Sequence, residues 1–116
     1  LIINPVNEEW LSGVLAGLGS TLDDVAATLR AAGVTGARRF GRRCPVAVYI
    51  GIKAKERIPS ASQVVVWISS EEATVRIHTP SGEEATSVTT PVAVADFVDA
   101  FDDGRLYTDL ADGTST

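Results

Sequence analysis

The 116-residue chain has one cysteine, one histidine and no methionine, and each scarcity removes a class of chemistry. A lone Cys44 cannot close an internal disulfide or by itself build a structural zinc site, which fits a reducing compartment. His78, as the only histidine, would have to draw any catalytic partner from carboxylates or hydroxyls elsewhere in the fold. It falls on the polar face of an expected strand and reads there as a solvated side chain. No apolar run approaches the ~20 residues of a membrane span. The first turn of the chain lacks the basic n-region and small-residue cleavage site of a signal peptide, so the expected compartment is the cytoplasm, with no membrane partner. Leu1 stands where an initiator methionine would be, so the chain reads equally as trimmed, processed or a fragment. Aromatics are scarce at 6%, against 45% hydrophobic residues overall, which implies one domain with a core built mainly of Ala, Val, Leu and Ile.

Lysine is also scarce, and the arginines that replace it are unevenly placed. Eight of the ten cationic side chains lie between Arg30 and Arg57, where Glu56 is the only acid. That window carries +7 within a chain of formal net charge −5, leaving −12 on the remainder. At its centre, Ala37-Arg38-Arg39-Phe40-Gly41-Arg42-Arg43-Cys44 sets two arginine pairs around an aromatic residue and a glycine.

Hydrophobic periodicity supplies the elements. Asn4-Pro5 opens a helical segment with a capping side chain and a proline at the first position, and Leu11, Val14, Leu15 and Leu18 follow at helical spacing, with Asn7, Glu8, Glu9 and Ser12 on the solvent side. Thr21 and Asp24 imitate a capping box ahead of Leu22, Val25, Ala26 and Leu29, and Gly33 offers a left-handed stop. Residues 34–43 have no apolar period and read as an exposed loop. Val46, Val48, Ile50 and Ile52 alternate as in a strand, although Pro45 is a natural first helical residue and Val46, Tyr49 and Ile50 also fall at helical spacing. Val64 to Ile68 reads as a buried strand, Ala73, Val75 and Ile77 as the inner face of a second, and Pro80-Ser81-Gly82 as a turn into a third around Ala85 to Thr89. Thr90-Pro91 caps a last helix with Val94, Phe97, Val98 and Phe101 on one face and Gly104 at its end.

This order of elements, with Cys44-Pro45 entering Val46-Ala47-Val48-Tyr49-Ile50 and with Ala95 to Gly104 followed by Leu106, Tyr107 and Leu110, resembles small uncharacterised proteins of actinobacteria and their phages. The resemblance spans about Leu22 to Leu110. It implies that residues 45–55 are helical, against the local alternation, and it implies no activity. The expected architecture is α+β, with three or four helices on a three-stranded antiparallel sheet in the order α-α-(α)-β-β-β-α. It forms a single domain over residues 4–110, with a flexible tail over 111–116.

Chemistry is sparse. Asp96, Asp99, Asp102 and Asp103 surround a helix without the loop spacing of a calcium site, and the glycines at 33, 36 and 41 lack the Gly-Lys-Ser/Thr of a phosphate loop. No metal and no cofactor is expected. Cys44 would be a nucleophile if the arginines and a helix N-terminus lowered its pKa, but no local signature surrounds it. The candidate contact residues are Arg38, Arg39, Phe40, Arg42 and Arg43, since arginine's planar fork suits carboxylate or phosphate and Phe40 offers a stacking face. The leading expectation is a small non-catalytic intracellular protein that docks an acidic protein partner through the 37–44 loop. Nucleic-acid or phosphate-ligand binding by the same loop is the alternative, and an enzymatic or redox role for Cys44 comes third. The loop also has the option of serving the chain's own acidic helices.

Overall fold

The structure, a computed structural model, describes residues 5–112. Helices α1 (Glu8–Leu18), α2 (Leu22–Ala31) and α3 (Pro45–Arg57) precede strands β1 (Gln63–Ile68), β2 (Glu72–Thr79) and β3 (Gly82–Thr89), and helix α4 (Val92–Asp103) follows. The strands form one antiparallel sheet in the order β1-β2-β3. The fold is therefore α+β, as the periodicities require, with the order α-α-α-β-β-β-α. Helix α3 packs on β1 and α1 on β3, while α2 touches α1, α3 and α4.

Helix α1 opens at Asn7, whose side chain accepts the Trp10 N–H at 2.9 Å. This corrects the expected start at Asn4-Pro5: Asn4 lies outside the described residues, and Asn7, expected on the solvent side, is the cap. Leu11, Leu15 and Leu18 are fully buried. Thr21 caps α2 by accepting the Asp24 N–H at 3.2 Å, but the Asp24 carboxylate faces the Ser20 hydroxyl, so the box is only half formed. Gly33, at φ 71°, makes the left-handed exit.

Residues 45–57 are helical, as the resemblance implied and the alternation did not. Pro45 sits at the first turn, and Val46, Ala47, Ile50 and Ala54 are buried at spacings of three and four. The strand reading would have put Ile52 on the same face as Val46 and Ile50, yet Ile52 is 46% exposed. Burial of a helical stripe has overridden β-propensity here.

The face of the sheet turned to the helices carries Val66, Ile68, Ala73, Val75 and Ile77, all buried. Thr90 does not cap α4: its hydroxyl donates to the Ser69 carbonyl at 2.8 Å, and Pro91 holds the cap position without a side-chain bond. Phe97 and Phe101 are completely buried one turn apart, with ring centroids 5.8 Å apart. The first residues of the expected tail are held: Asp112 donates its N–H to the Gly36 carbonyl at 2.9 Å, and Ala111 bridges Gly36. Residues 113–116 of that tail lie outside the described residues.

Candidate anion-facing surface

The arginine loop is not the plain exposed connector that its lack of period suggests. Its backbone is bonded on three sides. Gly36 donates to the Leu110 carbonyl at 2.9 Å, Ala37 donates to the Arg43 carbonyl at 2.7 Å, and the Ile68 N–H of β1 donates to the Gly41 carbonyl at 2.9 Å. Val34, Gly36 and Ala37 are buried, as is Cys44 just beyond the arginines. Glycine is required at two of these contacts. A Cβ on Gly36 would stand 2.6 Å from Pro45 N and 2.8 Å from the Cys44 carbonyl carbon, and one on Gly41 would stand 2.8 Å from the Ile68 carbonyl oxygen. All are closer than carbon tolerates.

The five candidate residues divide between structural and outward-facing roles. Arg38 turns inward: its Nε donates to the Phe101 carbonyl at 3.2 Å and its guanidinium lies 5.5 Å from the Phe101 ring centroid. That carbonyl, in the last turn of α4, also accepts the Gly104 N–H at 3.1 Å, and the helix dipole there favours a cation. Arg39 sits in the left-handed region at φ 64°, and its N–H donates to Asp102 Oδ1 at 2.8 Å. Phe40 is half-buried, so only part of the ring faces outward. Arg42 and Arg43 are exposed, and the Arg42 guanidinium lies 5.3 Å from the Trp67 ring centroid.

Much of the positive window serves the fold itself. Arg30 grips Asp109 with two hydrogen bonds, Lys55 donates to the Pro59 carbonyl at 3.2 Å, and Arg57 donates to the Pro5 carbonyl. The suspected service to the acidic helices is thus real for Arg38 and for the Arg39 backbone. Arg39, Arg42 and Arg43 are exposed and form a cationic rim.

That rim continues onto the sheet face turned away from the helices, which the sequence reading missed. Gln63, Val65 and Trp67 of β1 pair with His78, Arg76 and Thr74 of β2, and Arg76 and His78 pair with Ala85 and Glu83 of β3. The Arg76 guanidinium lies 5.1 Å from the Trp67 ring centroid. Arg42 reaches the indole from the outer edge of β1 and Arg76 reaches it from β2, so Trp67 is flanked by two cations held by its π-system. A depression of about 540 Å³ between the loop and Trp67 adjoins another of about 270 Å³ over Val65, Arg76 and His78, and Arg42 and Trp67 line both. Val64 to Ile68 looked like one buried run, but only its alternate members face the core. The signal that would have found Trp67 is Gln63, a polar residue two turns of the pleat away on the same face.

Cys44 lacks the environment of a nucleophile. It is 2% exposed at the start of α3, and burial pushes its thiol up to about 12, against the smaller opposing effect of the Val46 and Ala47 backbone amides. The nearby arginines do not offset this, because Arg42 and Arg43 face solvent and Arg38 is engaged with α4. His78 is exposed, as expected, with its Nδ1 3.2 Å from Glu83 Oε2. Among the described residues, no three His, Cys, Asp or Glu side chains gather as a metal site, and no helix is long and apolar enough to cross a membrane.

No family model matches the chain, and no curated protein or solved structure matches it.

Proposed function

We propose that this protein is a small non-catalytic binding protein of the cytoplasm that docks an acidic protein partner through Arg39, Phe40, Arg42 and Arg43. The observation that carries this reading is the framing of the loop by backbone bonds to Leu110, Arg43 and Ile68, which presents the exposed arginines from a fixed support. A backbone ordered before binding loses less entropy on association, and guanidinium forks donate to carboxylates in bidentate pairs. The left-handed Arg39 adds support: a residue with a Cβ costs about 1 kcal/mol there relative to glycine, a cost consistent with a side chain retained for use.

Nucleic acid is the second reading, favoured by the exposed Arg39, Arg42 and Arg43 beside the half-buried Phe40, whose ring offers a stacking face. Salt separates the two. The affinity of the protein for a synthetic oligoglutamate peptide and for single-stranded DNA is to be measured at low and high salt, for the wild type and for a variant carrying Arg39→Gln, Arg42→Gln and Arg43→Gln. Arg38 stays in place because it supports α4. Docking of an acidic protein predicts tighter binding of the peptide, with the loss concentrated in one or two arginines. A steep log-linear salt dependence with DNA, reduced by about one unit of slope per arginine removed, supports nucleic acid instead. If the folded variant binds both ligands as the wild type does, the loop is ordinary surface and the proposal fails.

A further inference from the structure

The sheet face next to the loop holds an acid of its own. Glu83, at the start of β3, lies opposite His78 in register and diagonal to Arg76. Its Oε1 is 3.1 Å from Arg76 Nε and its Oε2 is 3.2 Å from His78 Nδ1, so one carboxylate engages both side chains of β2. The three side chains are 45–54% exposed, and pairs this wet are weakly held. The same Arg76 also flanks Trp67, with Arg42 on the loop side.

We infer that Glu83 is an internal occupant of a carboxylate subsite formed by Arg76 and His78, and that an acidic segment of the protein partner displaces it while lying across Trp67 towards the arginine loop. The inference rests on the docking reading above and extends its footprint from the loop to the sheet. Three observations point to a carboxylate-bearing segment. The two depressions share Arg42 and Trp67 and so form one continuous track. Cationic side chains stand at both ends of it, Arg39 and Arg43 at one and Arg76 at the other. The indole is attended by guanidinium groups from two sides, which leaves less open ring for a nucleobase to stack on while presenting N–H groups to an acid. Glu83 shows that a carboxylate fits the far end, because one is there.

The test uses the full chain with Trp10→Phe, so that Trp67 is the only remaining indole, and follows its emission during titration with oligoglutamate and with oligothymidylate. The expected result is that oligoglutamate shifts the emission and that Glu83→Gln tightens its binding about two- to fivefold, as removal of a weak internal competitor should. Arg76→Gln should weaken binding and abolish the gain from Glu83→Gln. Unchanged affinity in Glu83→Gln, with binding still lost in Arg42→Gln/Arg43→Gln, overturns the internal occupant and leaves the loop reading standing. Binding that survives Arg42→Gln/Arg43→Gln overturns the loop reading itself. Tighter binding of oligothymidylate than of oligoglutamate at the same salt, or no binding of oligoglutamate by either the wild type or Glu83→Gln, overturns the acidic-partner assignment.

Discussion

The amide of Ile68 donates to the carbonyl of Gly41 at 2.9 Å, and through this bond the arginine loop is joined to the sheet beside Trp67. The loop, β1 and the α4 terminus therefore behave as one support. Arg38 anchors the loop to the Phe101 carbonyl, and Gly36 ties it to Leu110.

The two phenylalanines of α4 carry a large share of the helix layer. Phe97→Ala and Phe101→Ala should each lower unfolding free energy by about 3–5 kcal/mol, because a completely buried aromatic leaves a cavity that its neighbours fill only in part. Chemical denaturation with tryptophan emission measures this. Losses below about 1 kcal/mol would mean that the face is not packed as described.

Glycine substitutions should separate sharply by position. Gly36→Ala drives a Cβ into the backbone at Cys44 and Pro45, and Gly41→Ala drives one towards the Ile68 carbonyl, so both should unseat the loop and lower the melting temperature by several degrees or more. Gly13→Ala and Gly17→Ala meet nothing within 4 Å and lie in α1, where alanine should stabilise by about 0.5–1 kcal/mol. Equal thermal shifts at all four sites would contradict the loop geometry.

Cys44 should govern part of the alkaline stability profile. Its folded pKa is raised from 9.0 to about 12, so below pH 9 both folded and unfolded chains hold the proton and its full contribution is present. Between those values the unfolded chain ionises and the folded one does not, so stability falls by roughly 1.4 kcal/mol per pH unit from this group. Tyr107, also raised to about 12 by burial and by its hydrogen bond to Asp23, adds to the loss in the upper part of the same window. Cys44→Ala should flatten the decline while leaving the Tyr107 part. At neutral pH the folded thiol should label slowly; fast labelling would falsify the buried, neutral thiol.

Arg38 and Arg43 should differ although they stand in the same motif. Arg38→Ala removes a hydrogen bond to the end of α4 and a cation over Phe101, costing about 1–2 kcal/mol. Arg43 is exposed, and Arg43→Ala should stay within about 0.5 kcal/mol of wild type by the same denaturation measurement. A reversal of this order would show that Arg38, not Arg43, belongs to the contact rim.

Most of the architecture was legible because the elements advertise their partners locally. Leu11, Leu15 and Leu18, the Thr21 cap, the alternation of Ala73, Val75 and Ile77, and the Phe97/Phe101 stripe each state a period and a buried face. Residues 45–57 resisted because β-branched side chains at every second position describe a strand as well as a helix, and the burial of Ala47 and Ala54 together with the exposure of Ile52 decides between them. The site was half legible. Arginine pairs can be counted in sequence, but the inward turn of Arg38 depends on a carbonyl 63 residues away. The approach of Arg42 and Arg76 to Trp67 needs the β1–β2 register and the Gly41 contact, which no local pattern contains.

The Gly41 contact also bears on how the sheet ends. Strands β1 and β3 are the two edges, and an uncovered edge invites a neighbouring chain to add a strand. At Ile68 the β1 edge is already occupied by the loop's own backbone, and the β3 edge begins with the exposed acids Glu83 and Glu84, which would confront like charges in a self-paired copy. The turn that displays the arginines thus acts as a guard against edge-to-edge aggregation, and a change that releases Gly41 would expose the chain to strand-mediated self-association as well as loosening the binding surface.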